Sequence, residues 1–164
     1  MLPFSCARPA VQSHAGNHLR LLIAGERTLA LALASVAARH LEQPDVPAIL
    51  QMLATWSLTH AEKLQPLTKR YRGVPAASPR VLASVLFKGP RKGGIGLLRD
   101  LADLAILAHA VHGTWTAVDQ VAAALRDDEL KALCDTSISE TKRQLDWLDS
   151  HMKEIAPQVL TVPV

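Results

Sequence analysis

Apolar residues recur at intervals of three and four along four long stretches of this chain, and each stretch carries a small or polar residue near its middle. The first steps through Leu22, Glu26, Leu29, Leu33 and Val36, the second through Ile49, Leu53, Trp56, His60, Leu64 and Leu67. The third steps through Leu101, Leu104, Ala108, Val111, Trp115 and Val118. The fourth takes Leu130, Cys134, Ser137, Thr141, Leu145, Leu148 and Met152. This spacing gathers each set on one face of a helix. The pattern predicts an all-α protein, a four-helix bundle with a polar layer across its middle.

The punctuation between the stretches sets the element bounds. Residues 1–16 read as a loose tail, and helix one is expected from an Asn17 cap to Leu41. Asp45 as N-cap, with Pro47 in the first turn, opens a second helix reaching about Arg70. Pro66 lies inside it, which predicts a kink between Glu62 and Pro66. After the loop RGVPAASP, Ser78 and Pro79 start a short helix through Phe87, and KGPRKGGIG follows as a glycine-rich connector. Helix three is expected over Ile95 to Leu125. Asp127 caps helix four, with Asp128 and Glu129 at the positive end of its dipole, and that helix should stop by Pro157. One bundle domain over 17–157, with a tail at 158–164, accounts for the chain.

Composition sharpens this picture. In a chain of 164 residues, 49% are hydrophobic but only 4% aromatic, so Leu, Ala and Val do the packing and strands are disfavoured. The net charge of +3 comes from scattered basic residues, without an aromatic-interleaved basic face, so no nucleic-acid partner is expected. The two cysteines, Cys6 and Cys134, stand far apart, and Cys134 falls on a core stripe. No disulfide framework is implied, and a reducing compartment fits. The longest apolar run, Leu29 to Ala38, is about half of the roughly 20 residues a membrane span needs. With no basic leader before an apolar run at the N-terminus, a soluble cytoplasmic protein is expected.

Candidate chemistry gathers around Glu26, the one carboxylate on a core stripe. A buried carboxylate needs a partner or takes up a proton, and Thr141 and His60 are the expected donors. Ser137 and Thr141 have the alternative of bonding back to the carbonyl one turn earlier. His109 and His112, three apart, share one side of helix three. With Glu26 and His60 they offer a carboxylate and up to three imidazoles, a set suited to zinc or a single iron. The alternative is that the two histidines flank the stripe at a helix edge, bonded to neighbours or solvent. Asp100 and Asp103, with Arg99, are expected on an exposed charged face. No nucleophile sits on a strand-to-helix elbow and Cys134 should be buried, which sets a serine or cysteine hydrolase aside.

Several phrases resemble the bacterial ferritin-like stress proteins of the YciE/YciF type: LIAGERTLALAL, THAEKLQPLTKRY, HAVHGTWTAV and SETKRQLDWLDSHM. The likeness runs from His18 to Ile155 and is one of layout and apolar pattern. It implies a ferritin-like antiparallel four-helix bundle with one long crossover, a short extra helix before helix three, and a homodimer. Glu26 matches the helix-one glutamate that holds a metal in that family. The helix-two ligand positions fall near Thr59 and Lys63, with His60 one place away. The helix-three glutamate falls at about Ala108, and the helix-four ligands near Ser137 and Thr141, with Glu140 beside them but turned off the stripe. A di-iron carboxylate site draws about four carboxylates and two histidines from four helices, so the resemblance implies a site that has lost most of its ligands.

Two functions compete. One is a stress-associated structural or interaction protein with a degenerate metal site and no cofactor. The other is an iron or zinc protein with a site rebuilt from Glu26, His60, His109 and His112. A dimer is expected on either, because Leu21, Ile23, Leu31 and Ala34 lie off the main stripe of helix one and a helix apolar nearly all round needs cover on both sides.

Overall fold

The computed structural model describes residues 14–73 and 85–162, together with the backbone of 11 and 12. Four long helices carry it: α1 (Ala15–Arg39), α2 (Val46–Leu67), α3 (Gly93–Leu125) and α4 (Asp128–Leu160). A single 3₁₀ turn, Thr68–Arg70, follows α2, and Val11–Gln12 pairs in parallel with Tyr71–Arg72. The protein is an all-helical bundle. α1 packs most extensively on α2 and next on α3, α3 packs on α4, and the α2–α4 seam is the thinnest of the four.

The stripes of α1, α3 and α4 are buried as their periodicity requires, from Leu22, Leu29 and Leu33 through Leu101, Leu104 and Trp115 to Leu130, Cys134 and Leu148. In α2 the buried face is turned slightly. Leu50, Ala54, Ser57 and Ala61 lie in the core while Ile49 and Trp56 are half-buried. Ile23 is also buried within the bundle, so helix one exposes less apolar surface than its sequence suggests, although Leu31 is 72% exposed. By length and composition α1 could cross a membrane. In this bundle it packs against α2 and α3, with Glu26 fully buried.

The ends depart from expectation for local reasons. α1 starts at Ala15 rather than Asn17, whose side-chain oxygen accepts from Arg20 inside the first turn. It stops at Arg39, where the next residue, His40, leaves helical geometry and buries its ring. Asp45 stands before α2 with φ of 61° and makes no side-chain cap bond. α2 runs through Pro66, which falls in its last turn, and the chain then tightens into the 3₁₀ turn. Asp127 caps α4 through Leu130 N at 3.1 Å. Pro157 does not stop α4, which runs three residues further to Leu160. Of the short helix expected from Ser78 to Phe87, 78–84 lie outside the described residues and 85–87 form a turn and bends.

Candidate functional site

α1 and α3 pack together beside Glu26. A Cβ placed on Gly25 would lie 3.3 Å from Val111 Cγ2, so the glycine lets the two backbones close at this level. That brings Trp115, one turn after Val111, across to α1. Its indole Nε1–H donates to Glu26 Oε1 at 2.6 Å. From α2, His60 Nδ1 reaches the same oxygen at 2.8 Å, and its Nε2 meets Glu140 Oε2 of α4 at 2.7 Å. The His60 ring stands edge-on to Trp115, 82° between planes and 5.8 Å between centroids. All four helices thus contribute one side chain to a single chain of hydrogen bonds.

The charges follow from the donor count. An ionised carboxylate only accepts, so two carboxylates on one imidazole require a proton on each ring nitrogen. With both carboxylates ionised, His60 is held as an imidazolium between Glu26 and Glu140. Burial works against that charge, but the hydrogen bonds and charges of Glu26 and Glu140 outweigh it and hold the pKa above its ordinary 6.5. Glu26 and His60 are buried, whereas the Glu140 side chain keeps 32% of its surface exposed and connects the layer to solvent. Polar groups continue alongside. Gln144 donates to Leu53 O at 2.9 Å and to Ser57 Oγ at 3.1 Å. Thr141 donates back to Ser137 O at 2.6 Å, the local alternative its sequence context allowed, and so it does not serve Glu26.

The structure therefore joins two of the four sequence candidates, Glu26 and His60. His109 is exposed, and His112 is half-buried with an unpartnered Nδ1. Two members escaped the sequence reading. Glu140 is not turned away, because the length of its side chain carries it from the helix edge to His60. Trp115 read as packing, yet a buried indole N–H needs an acceptor, and Glu26 was the available carboxylate.

A di-metal carboxylate centre, which a ferritin-type bundle implies, does not fit this donor set. Glu26 Oε2 lacks a partner. Against that, both His60 nitrogens are committed to carboxylates, Trp115 directs an N–H at Glu26, and Ala108, Ser137 and Thr141 fill the remaining core positions. Among the described residues no group of three or more His, Cys, Asp or Glu is arranged to hold a metal.

A second ionic cluster closes one end of the bundle. Asp100, read from sequence as exposed, is fully buried. It receives Arg39 Nη1 at 3.1 Å and His40 Nε2 at 2.9 Å, with Arg91 Nη1 at 3.4 Å. Asp103 holds Arg91 Nη2 at 2.9 Å and accepts from Phe87 N at 2.7 Å. The glycine-rich connector is thereby fastened to α3 through Arg91. Comparison with protein-family models gives no match, and comparison with curated proteins gives no significant match.

Proposed function

We propose that this chain is a ferritin-like antiparallel bundle, akin to the YciE/YciF type, in which a proton-bridged Glu26–His60–Glu140 layer stands in place of a di-metal centre. Its role on this reading is structural or interactive, associated with stress, and not catalytic. The order of contacts supports the arrangement. Glu26 and Arg39 of α1 meet Trp115 and Asp100 of α3, so partner numbers fall in α3 as they rise in α1. His60 and Leu53 of α2 meet Glu140 and Gln144 of α4 in the same opposed sense. One observation carries the functional reading: Trp115 Nε1 and His60 Nδ1 share Glu26 Oε1, which occupies that oxygen with protons.

A homodimer belongs to this reading, supported by Leu31 on α1 and Ile106 on α3, 72% and 47% exposed on neighbouring helices. A cytoplasmic location belongs to it too, supported by the free thiol of Cys134. A second reading, an iron or zinc site using Glu26, His60, His109 and His112, draws on the unpartnered Glu26 Oε2 and His112 Nδ1. Protein purified without a histidine tag, assayed for metal and then treated with EDTA, separates the two. Absence of stoichiometric metal and an unchanged far-ultraviolet helix signal are expected. A stoichiometric metal whose removal melts the helices would overturn the proposal.

A further inference from the structure

A cavity of about 440 Å³ lies apart from the buried layer, between the start of α2 and the last turns of α4. Its size is that of a small-molecule pocket. The lining includes Asp45, Glu154, Trp147, His151, Ile49 and Ile155, and it holds no lysine or arginine. Trp147 and His151, both in the lining, stack with 5.0 Å between centroids and 9° between planes. Ile49 and Ile155 supply apolar surface. Among the described residues the Asp45 carboxylate has no hydrogen-bond or ionic partner, although it stands as the N-cap residue of α2. The Trp147 indole N–H is likewise without an acceptor there. Glu154 has only His151 Nδ1, at 3.4 Å.

A concave site with two carboxylates, aromatic rings, apolar flanks and no lysine or arginine is complementary to one ligand chemistry. We infer that this cavity binds a small organic cation, a protonated amine on an apolar body. The ammonium would sit by Asp45 and Glu154 near the Trp147 face, where aromatic quadrupole and carboxylate charge attract it together. The hydrocarbon part would lie against Ile49 and Ile155. This inference is independent of the state of the Glu26 layer.

Three probes of equal length test it: pentylamine, 1-pentanol and pentanoate, each titrated into the full chain while the Trp147 indole N–H and His151 ring signals are followed by NMR. Pentylamine should shift both signals saturably and bind at least about tenfold more tightly than 1-pentanol, and pentanoate should shift neither. Asp45→Asn and Glu154→Gln should each weaken pentylamine binding about five- to tenfold. Asparagine tolerates the positive φ of position 45, and Glu154 is exposed on α4, so both variants should keep the wild-type spectrum elsewhere. Equal affinity for pentylamine and 1-pentanol, unchanged affinity in both variants, or no saturable shift would each overturn the inference.

Discussion

Trp115 and Glu26, 89 positions apart, meet in the core through a 2.6 Å bond from indole nitrogen to carboxylate oxygen. The bond links α1 to α3 at the level where Gly25 lets the helices close. It gives the only carboxylate on a core stripe of α1 a donor that stays protonated at every physiological pH.

Trp115→Phe should therefore cost more than the lost ring volume. It removes a hydrogen bond to a charged acceptor, and the combined loss is about 2–4 kcal/mol. Glu26→Gln keeps an acceptor for Trp115 and His60 but withdraws the charge facing the imidazolium, and it should destabilise by about 1–3 kcal/mol. Urea unfolding of both variants checks this. A Glu26→Gln protein as stable as wild type would overturn the charged pairing of Glu26 with His60.

The same layer makes stability depend on pH. The folded pKa of His60 lies above its unfolded value of 6.5. Its protonated form thus contributes stability that is complete below 6.5 and is lost as pH rises through the raised folded pKa. Thermal melts from pH 6 upward should show a decline absent from His60→Gln, and the His60 ring signals should titrate above those of an exposed histidine. Asp127 acts at the acid end. Burial opposes its charge, but Tyr71, Leu130 N and Arg70 together lower its pKa below 3.8, so its contribution is lost only as pH falls through that lowered value.

Burial, and then the charge of Asp119, pushes the Cys134 thiol up to about 12. In a Cys6→Ser background a disulfide reagent at pH 8 should modify Cys134 at least about a hundredfold more slowly in native protein than in urea. Rapid native modification would show that α4 opens locally.

The four helices were legible because their stripes repeat with helical period over long spans, and even the polar interruptions at Glu26, His60, Ser137 and Thr141 marked the right layer. Partner choice within that layer was not. Periodicity ranks positions by direction and cannot say that a long Glu140 side chain bends inward or that a tryptophan acts as a donor. Asp100 failed for a related reason. Its partners, Arg39, His40 and Arg91, come from a helix end and a loop, where no period reveals that they converge.

Leu31 and Ile106 give the dimer its most direct test. Replacing both exposed residues with Lys should leave the core intact while turning a dimer into monomer by light scattering at micromolar concentration. A wild-type chain that is monomeric there would remove the homodimer from the proposal.

Asp100 is the centre of the second ionic cluster. It is fully buried and faces Arg39 Nη1 at 3.1 Å, His40 Nε2 at 2.9 Å and Arg91 Nη1 at 3.4 Å. Asp100→Asn keeps the shape but leaves cationic groups converging on a neutral amide, one of whose ends is itself a donor. Removing one member of a buried ion pair costs about 3–5 kcal/mol, and this variant should fall in that range. Asp103→Asn, 17% exposed in its side chain and still able to accept from Phe87 N, should cost less. The loss in Asp100→Asn should be accompanied by faster amide exchange from Phe87 to Gly96, because Arg91 fastens that connector. Equal stability of the two variants, or unchanged exchange in the connector, would show that the cluster does not hold this end of the bundle.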